Sequence, residues 1–188
     1  MNTICVTGTP GTGKTTFSRE LARKLDLTYL DLNTLLLDEG CTEGYDEHRE
    51  THVIDLEKSR QLLRERLTPG HQVAESHIAH LVVPVEVIHV CFVLRCSPYE
   101  LRVRLKDKGF SGQKLRENLE AEVLGVVSAE AIRTYGKEKV CELDTSGGLD
   151  DVIGEAVNVL EGRKKAASGL IDWLGLLAQK GELSAFLG

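Results

Sequence analysis

The stretch GTPGTGKTT at residues 8–16, directly after the apolar run TICVT, constrains this chain more than any other feature. It fits the pattern G-x-x-x-x-G-K-[ST], with a strand expected before it and a helix expected after it. Gly8, Gly11 and Gly13 can take backbone angles that a β-carbon forbids, so successive N–H groups can point into one concavity. The helix expected to begin near Lys14 adds the positive end of its dipole at the same place. Lys14 can then reach the β- and γ-phosphates of a nucleoside triphosphate. The Thr15 hydroxyl can ligate Mg²⁺, and Thr16 can donate to the α-phosphate. A glycine-rich turn that only linked strand to helix would not require Lys and Thr at these positions.

Strand-like and helix-like runs alternate along the rest of the chain, the pattern of a parallel sheet with helices on both faces. Strands are expected at 3–7, 28–31, 72–75, 88–94 and 139–144, with a Pro69-Gly70 turn opening the third. Helices are expected at 15–25, 55–67, about 98–105 and 150–160. One long helix is expected from about 111 to 135, with Leu115, Leu119, Val123 and Val127 along it. The expected fold is therefore α/β, a three-layer P-loop nucleotide kinase fold with a five-stranded parallel sheet. Residues 38–54, polar and carrying Gly40 and Gly44, read as a mobile insertion. Residues 161–168 read as a hinge before a last amphipathic segment, GLIDWLGLLAQKGELSAFL, with Ile171, Leu174 and Leu177 on one stripe and Trp173 beside it. That stripe is expected to pack on its own domain.

The third strand ends in ESHIAH (75–80), where a carboxylate is needed as a second group for Mg²⁺. Glu75 is the candidate, and His77 can orient a water or sense the γ-phosphate. His77 and His80 form H-x-x-H, but a zinc site would need a third ligand at sensible spacing. Between residues 95 and 116, seven cationic side chains (Arg95, Arg102, Arg104, Lys106, Lys108, Lys114, Arg116) stand against Glu100 and Asp107. Phosphoryl transfer runs on positioning and on cations that neutralise the transferring group, so this stretch reads as a lid, with Lys106 and Lys114 the first candidates for plain solvation. The insertion at 38–54 then reads as a flap over a phosphoryl acceptor, and DTSGG (144–148) as a backbone reader of the adenine.

Composition narrows the class. A net charge of −6 argues against a general nucleic-acid-coating surface, and no direct sequence-specific nucleic-acid binding is expected. Aromatics make up only 5%, so the core should be aliphatic. The five cysteines lack CxxC spacing and read as buried reduced thiols of a reducing compartment. With no signal peptide and no membrane span expected, the expected location is cytoplasmic, or nuclear in a host with a nucleus.

Together, GTPGTGKTT, GYDE (44–47), the E-S-H step at 75–77, HVCFVLR (89–95) and KGFSGQKLRENLEAE (108–122) resemble the adenylate kinase isoenzyme 6 family. These are archaeal and nuclear adenylate-kinase-like NTPases linked to small ribosomal subunit maturation. The resemblance covers roughly residues 3 to 160. It implies that Gly11, Gly13, Lys14, Thr15 and Thr16 bind ATP phosphates and that Thr15 and Glu75 hold Mg²⁺. It further implies that Lys14, Glu75, His77 and Lys108 act in catalysis, with Lys108 also gripping phosphate. Residues 31–54 would form the nucleoside-monophosphate region and about 107–117 the lid, within a domain at 1–162 followed by an extension at 163–188. Glu75-Ser76-His77 stands where the family often has Asp-x-His, and Lys108-Gly109-Phe110 where it often has Arg-Gly-Tyr. Lysine keeps the charge but not the bidentate fork.

The leading expectation is a broad-specificity adenylate kinase, Mg·ATP + AMP to 2 ADP, with accompanying ATPase activity. A second is an ATPase assembly factor that loads or releases a small-subunit ribosomal protein. A third, another small kinase such as one for shikimate, fits less well, because Ser76-His77-Ile78 occupies the place of a Gly-Gly step.

Overall fold

The computed structural model describes residues 3–47, 51–67 and 71–187, and the Pro69-Gly70 turn lies outside them. Five parallel strands form the central sheet in the order β2-β5-β1-β6-β7. They are β1 (Thr3–Gly8), β2 (Thr28–Asp31), β5 (Gln72–Glu75), β6 (Ile88–Arg95) and β7 (Val140–Asp144). Alternation along β1 decides which layer each residue joins. Cys5 turns to a core shared with Leu63, Ala79 and Tyr135, while Ile4 and Val6 turn to one shared with Phe17, Leu21 and Ile153.

The first face is covered by α2 (Leu32–Asp38), α3 (Leu56–Leu67), α4 (Ala79–Val82) and α7 (Val126–Tyr135); the second by α1 (Lys14–Leu25) and α8 (Leu149–Leu160). All five cysteines are buried and free. No described helix is long and apolar enough to cross a membrane.

Four expectations need correction. Residues 38–54 are not featureless: β3 (Thr42–Asp46) and β4 (Thr51–Ile54) pair antiparallel, and Tyr45 meets His52 edge-on at 5.1 Å. The short helices α2 and α4 were not expected at all. The helix expected at 111–135 is broken into α6 (Gly112–Val123) and α7 by Leu124 and Gly125, the latter at φ 65°. Gly125 makes the left-handed turn that ends α6, its N–H donating to the Glu122 carbonyl at 3.1 Å, and Arg95 Nη2 donates to the same carbonyl at 2.8 Å.

The segment at 161–168 does not swing as a hinge. Lys164 N donates to Asn158 O at 3.0 Å, and Glu142 N donates to Ala167 O at 2.9 Å, so the chain returns along the β7 edge. It then enters α9 (Trp173–Lys180), where Leu177, fully buried, packs with Val123 and Phe186. The extension therefore packs on its own domain, although Leu174 of the expected stripe stays exposed.

Arg95 anchors this side of the molecule. It is 3% exposed and pairs with two carboxylates that are themselves buried, Glu122 through Nε at 2.7 Å and Glu142 through Nη1 at 2.9 Å. Burial works against the Glu142 charge, but bonds from Ser128 and Arg95 outweigh it and hold the carboxyl below its usual range. Replacing Arg95 by Met leaves both acids without their cation. The expected loss is about 3–5 kcal/mol of unfolding free energy, read from urea titration. A loss no larger than an exposed pair gives, about 0–1 kcal/mol, would contradict this role.

Candidate active site

The loop from Gly8 to Thr15 joins β1 to α1 and curls around its own lysine. Gly11 at φ 90° and Gly13 at φ 88° hold the curl, and a β-carbon on Gly11 would meet Leu101 Cδ1 at 2.8 Å. Thr12 closes it from within, its Oγ1 donating to Thr9 O at 2.9 Å. Thr145 Oγ1, from the turn after β7, donates to Thr12 O at 2.8 Å and fixes the outer wall.

Lys14 is 8% exposed, and its Nζ donates to Gly8 O at 2.9 Å and Thr9 O at 3.1 Å. Burial pulls its pKa down from 10.5 to about 8; the Lys108 charge adds to that, while Glu75 and Glu122 oppose it. Two carbonyl dipoles take two of the ammonium's three hydrogen bonds without neutralising it. A polyphosphate arriving here meets a cation that lacks an adjacent counter-charge.

Glu75 ends β5 and is 4% exposed. One of its oxygens accepts from Thr15 Oγ1 at 3.1 Å and from Tyr29 Oη at 3.0 Å. Tyr29 is pushed up to about 12, by burial first and the Glu75 carboxylate next, so it remains a donor. Thr15 and Glu75 offer the hard oxygens that suit Mg²⁺, and both line the cavity at the loop. Among the described residues no group of three His, Cys, Asp or Glu converges to cage a metal. An ion here would complete its shell with water and phosphate oxygens, as Mg²⁺ commonly does.

His77 stands on the cleft wall with one side open to solvent; partial withdrawal of its ring from water, then the Lys14 and His80 charges, lower its pKa to about 4. It is therefore neutral at physiological pH, able to accept or donate but not to act as a cation. His80 does not face the cleft with it. Its Nδ1 meets Thr7 Oγ1 at 2.9 Å and its Nε2 meets Glu130 at 3.0 Å, so both ring nitrogens are committed.

The cations of 95–116 do not act as one group, because they are spread over β6, α5 (Pro98–Asp107), the connection after it and α6, and α5 itself turns its own to different sides. Arg95 is in the buried network, Arg102 lies over the Phe186 ring at 3.8 Å, and Lys114 lies over Phe110 at 5.1 Å. Lys106 and Arg116 line a separate hollow with Phe186. Arg104 and Lys108 face cavities walled by the phosphate loop, and Lys114 lines another with Pro10 and His77. The connection bearing Lys108 is short, residues 108–111 between α5 and α6.

Among the cavities at the loop, three run in sequence, of about 440, 310 and 420 Å³, and a further one of about 670 Å³ shares Pro10, His77 and Phe110 with the second and Thr51 with the third. The first is lined by Phe17, Arg104, Thr145, Gly147, Leu149 and Val152, an apolar slot with a cation and turn backbone at its rim. The second holds Lys14, Thr15, Glu75 and His77, and shares Gly11, Gly13, Thr16 and Lys108 with the first. The third lies under the flap, with Leu37, Tyr45, His52, Ile54 and Leu56, and shares Asn33 and His77 with the second.

Sequence reasoning missed Tyr29, Asn33 and Glu122. Tyr29 and Asn33 carry no local signal. Glu122 does, since it lies three residues after Leu119 on a buried stripe, where a carboxylate is out of place.

A backbone anion nest at a strand–helix junction of a parallel sheet defines the class: a P-loop nucleotide-binding protein with a kinase fold. Residues 4–125 match the family described as AAA domain. A protein of Saccharolobus solfataricus described as "Putative adenylate kinase" is 37% identical over 91% of this chain and 87% of its own length. Its namesake in Halobacterium salinarum is 36% identical over 90% of this chain and 96% of its own. The chain belongs to this family of archaeal adenylate-kinase-like proteins. A shikimate kinase of Acinetobacter baumannii, solved with shikimate, shares the fold at TM-score 0.62 and 17% identity, over 87% of this chain and 95% of its own. A gluconokinase of Sinorhizobium meliloti does so at TM-score 0.54 and 18% identity, over 86% of this chain and 93% of its own.

The Lys14 environment gives a test free of turnover. With its pKa at about 8 in the free protein, Lys14 is largely neutral at pH 9, and adjacent phosphates restore its charge. Binding of ATP at pH 9 should therefore take up about one proton, and none through this group at pH 6.5. Calorimetry in buffers of different ionisation enthalpy measures it. Equal uptake at both pH values would show that Lys14 is not the group gripping the phosphates.

Proposed function

We propose that this protein is an adenylate kinase of broad acceptor range, converting Mg·ATP and AMP to two ADP. The observation that carries the reading is the continuity of the three cavities through shared lining residues, with the phosphate loop in the middle. A hydrolase or switch needs only the first two. A third cavity of about 420 Å³, roofed by Tyr45 and His52, gives an acceptor nucleoside its own place.

Transfer is in line, without a covalent intermediate, and the acceptor phosphate needs no strong base. Backbone amides of the loop, Thr16 and the Lys14 ammonium hold the donor phosphates. Lys14 and Lys108 stabilise charge spread over the transferring group, and the low-dielectric setting of buried Lys14 strengthens its effect. Thr15 and Glu75 would hold Mg²⁺, which would supply neutralisation of phosphate charge there. Arg104 and the turn at 145–147 grip the donor nucleoside. Neutral His77, shared by the loop and acceptor cavities, can instead orient a water when no acceptor is bound, which supports a slower accompanying ATPase reaction.

The likeness to the isoenzyme 6 family supports a finer proposal, that this ATP cycle serves small-ribosomal-subunit maturation through a small-subunit ribosomal protein. It predicts acceptor-independent phosphate release that rises when such a protein is added.

The kinase reading is tested by ADP formation from Mg·ATP with each nucleoside monophosphate beside a blank without acceptor. AMP-dependent ADP formation should fall by about 10²–10³ in Lys14→Ala. Phosphate release that is indifferent to every acceptor, with no ADP beyond hydrolysis, would leave only the ATPase reading.

A further inference from the structure

Glu122 lies far from the loop in sequence and against it in space. Thr9 Oγ1 donates to its Oε2 at 2.7 Å, and the two residues are 2% and 1% exposed. The other oxygen, Oε1, accepts from Arg95 Nε at 2.7 Å, Cys96 N at 3.1 Å and Trp173 Nε1 at 3.2 Å. Trp173 is the single tryptophan and belongs to the C-terminal extension. Its approach is fixed by Glu142, whose Oε2 accepts from Gly169 N at 2.7 Å and Leu170 N at 3.1 Å while its Oε1 takes Arg95. On the loop side, the carbonyl of the same Thr9 receives Lys14 Nζ.

We propose that Glu122 is a positioning residue coupling the phosphate loop to the C-terminal extension, through the path Lys14–Thr9–Glu122–Trp173. When a polyphosphate draws the Lys14 ammonium away, the Thr9 carbonyl loses a charged donor and the loop re-pairs. The Thr9 hydroxyl is bound to the carboxylate that also holds the indole, so the change reaches Trp173. By reciprocity, what the extension does to Trp173 alters the loop's grip on phosphate by the same free energy. A buried carboxylate that loses one donor must be compensated by the others, so the contact is sensitive to small displacements.

Tryptophan emission tests this on the whole chain, with tripolyphosphate as the probe. That anion has no base to quench the indole, and Trp173 lines neither the donor nor the acceptor cavity. The test rests on anion binding at the loop and not on the kinase reading, which ADP formation judges separately. Emission should change saturably, with the midpoint that calorimetry gives for binding. Thr9→Val, titrated to its own calorimetric saturation, should show no change, and Thr9→Ser should restore it. Wild-type emission that stays constant at saturation overturns the proposal, as does a full change in Thr9→Val. If Thr9→Val fails to bind, the converse measurement decides. Trp173→Phe should shift tripolyphosphate affinity by about fivefold, and unchanged affinity overturns the coupling.

Discussion

The structure depends on a buried ammonium that has dipoles for partners but no counter-ion in contact. Lys14 sits on two carbonyls of its own loop, and burial lowers its pKa to about 8. Holding the charge there at neutral pH costs about 3 kcal/mol, a large part of a domain's usual stability. Under the proposed function, phosphate oxygens would relieve that cost on binding, which would favour polyanions at the loop. The loop geometry, with Gly11 pressed against Leu101 and Thr12 tied to Thr9 and Thr145, keeps the ammonium from escaping to water.

Around this centre the fold supplies two kinds of support. On the cleft side, Tyr29 and Thr15 orient the Glu75 carboxylate, and Ser76 Oγ donates to Asn33 Oδ1 at 2.7 Å, tying the end of β5 to α2. On the far side, Arg95 with Glu122 and Glu142 forms a buried cluster that joins β6, β7, α6 and the extension. An apolar cluster of the same volume would be as stable or more so. What the charges add is direction: each oxygen has a named donor, and one of those donors is in the phosphate loop.

The loop was legible because its chemistry is local: glycines, lysine and threonines act within a few residues of one another. The five strands and their parallel arrangement were legible for a similar reason, as short apolar runs between helical repeats. The flap hairpin was not, because β3 and β4 are largely exposed polar strands without the alternation that marks a half-buried sheet. Nor was the break at Gly125, since the Glu122 carbonyl there pairs with Arg95, distant in sequence, as well as with Gly125 itself. The cations of 95–116 misled as a cluster because sequence proximity on a helix places neighbours on opposite sides. Lys108 and Arg104 face the phosphate loop, whereas Arg102 and Lys106 face the extension.

The central claim is that two nucleoside cavities share one phosphate cradle, and a dinucleoside polyphosphate tests it most directly. Diadenosine pentaphosphate can span the first and third cavities with its phosphates over Lys14. Calorimetry should give one molecule bound per chain, far more tightly than ATP or AMP alone, with ATP and AMP each displacing it competitively. Affinity no greater than that of ATP, with AMP unable to compete, would mean that the third cavity is not joined to the cradle.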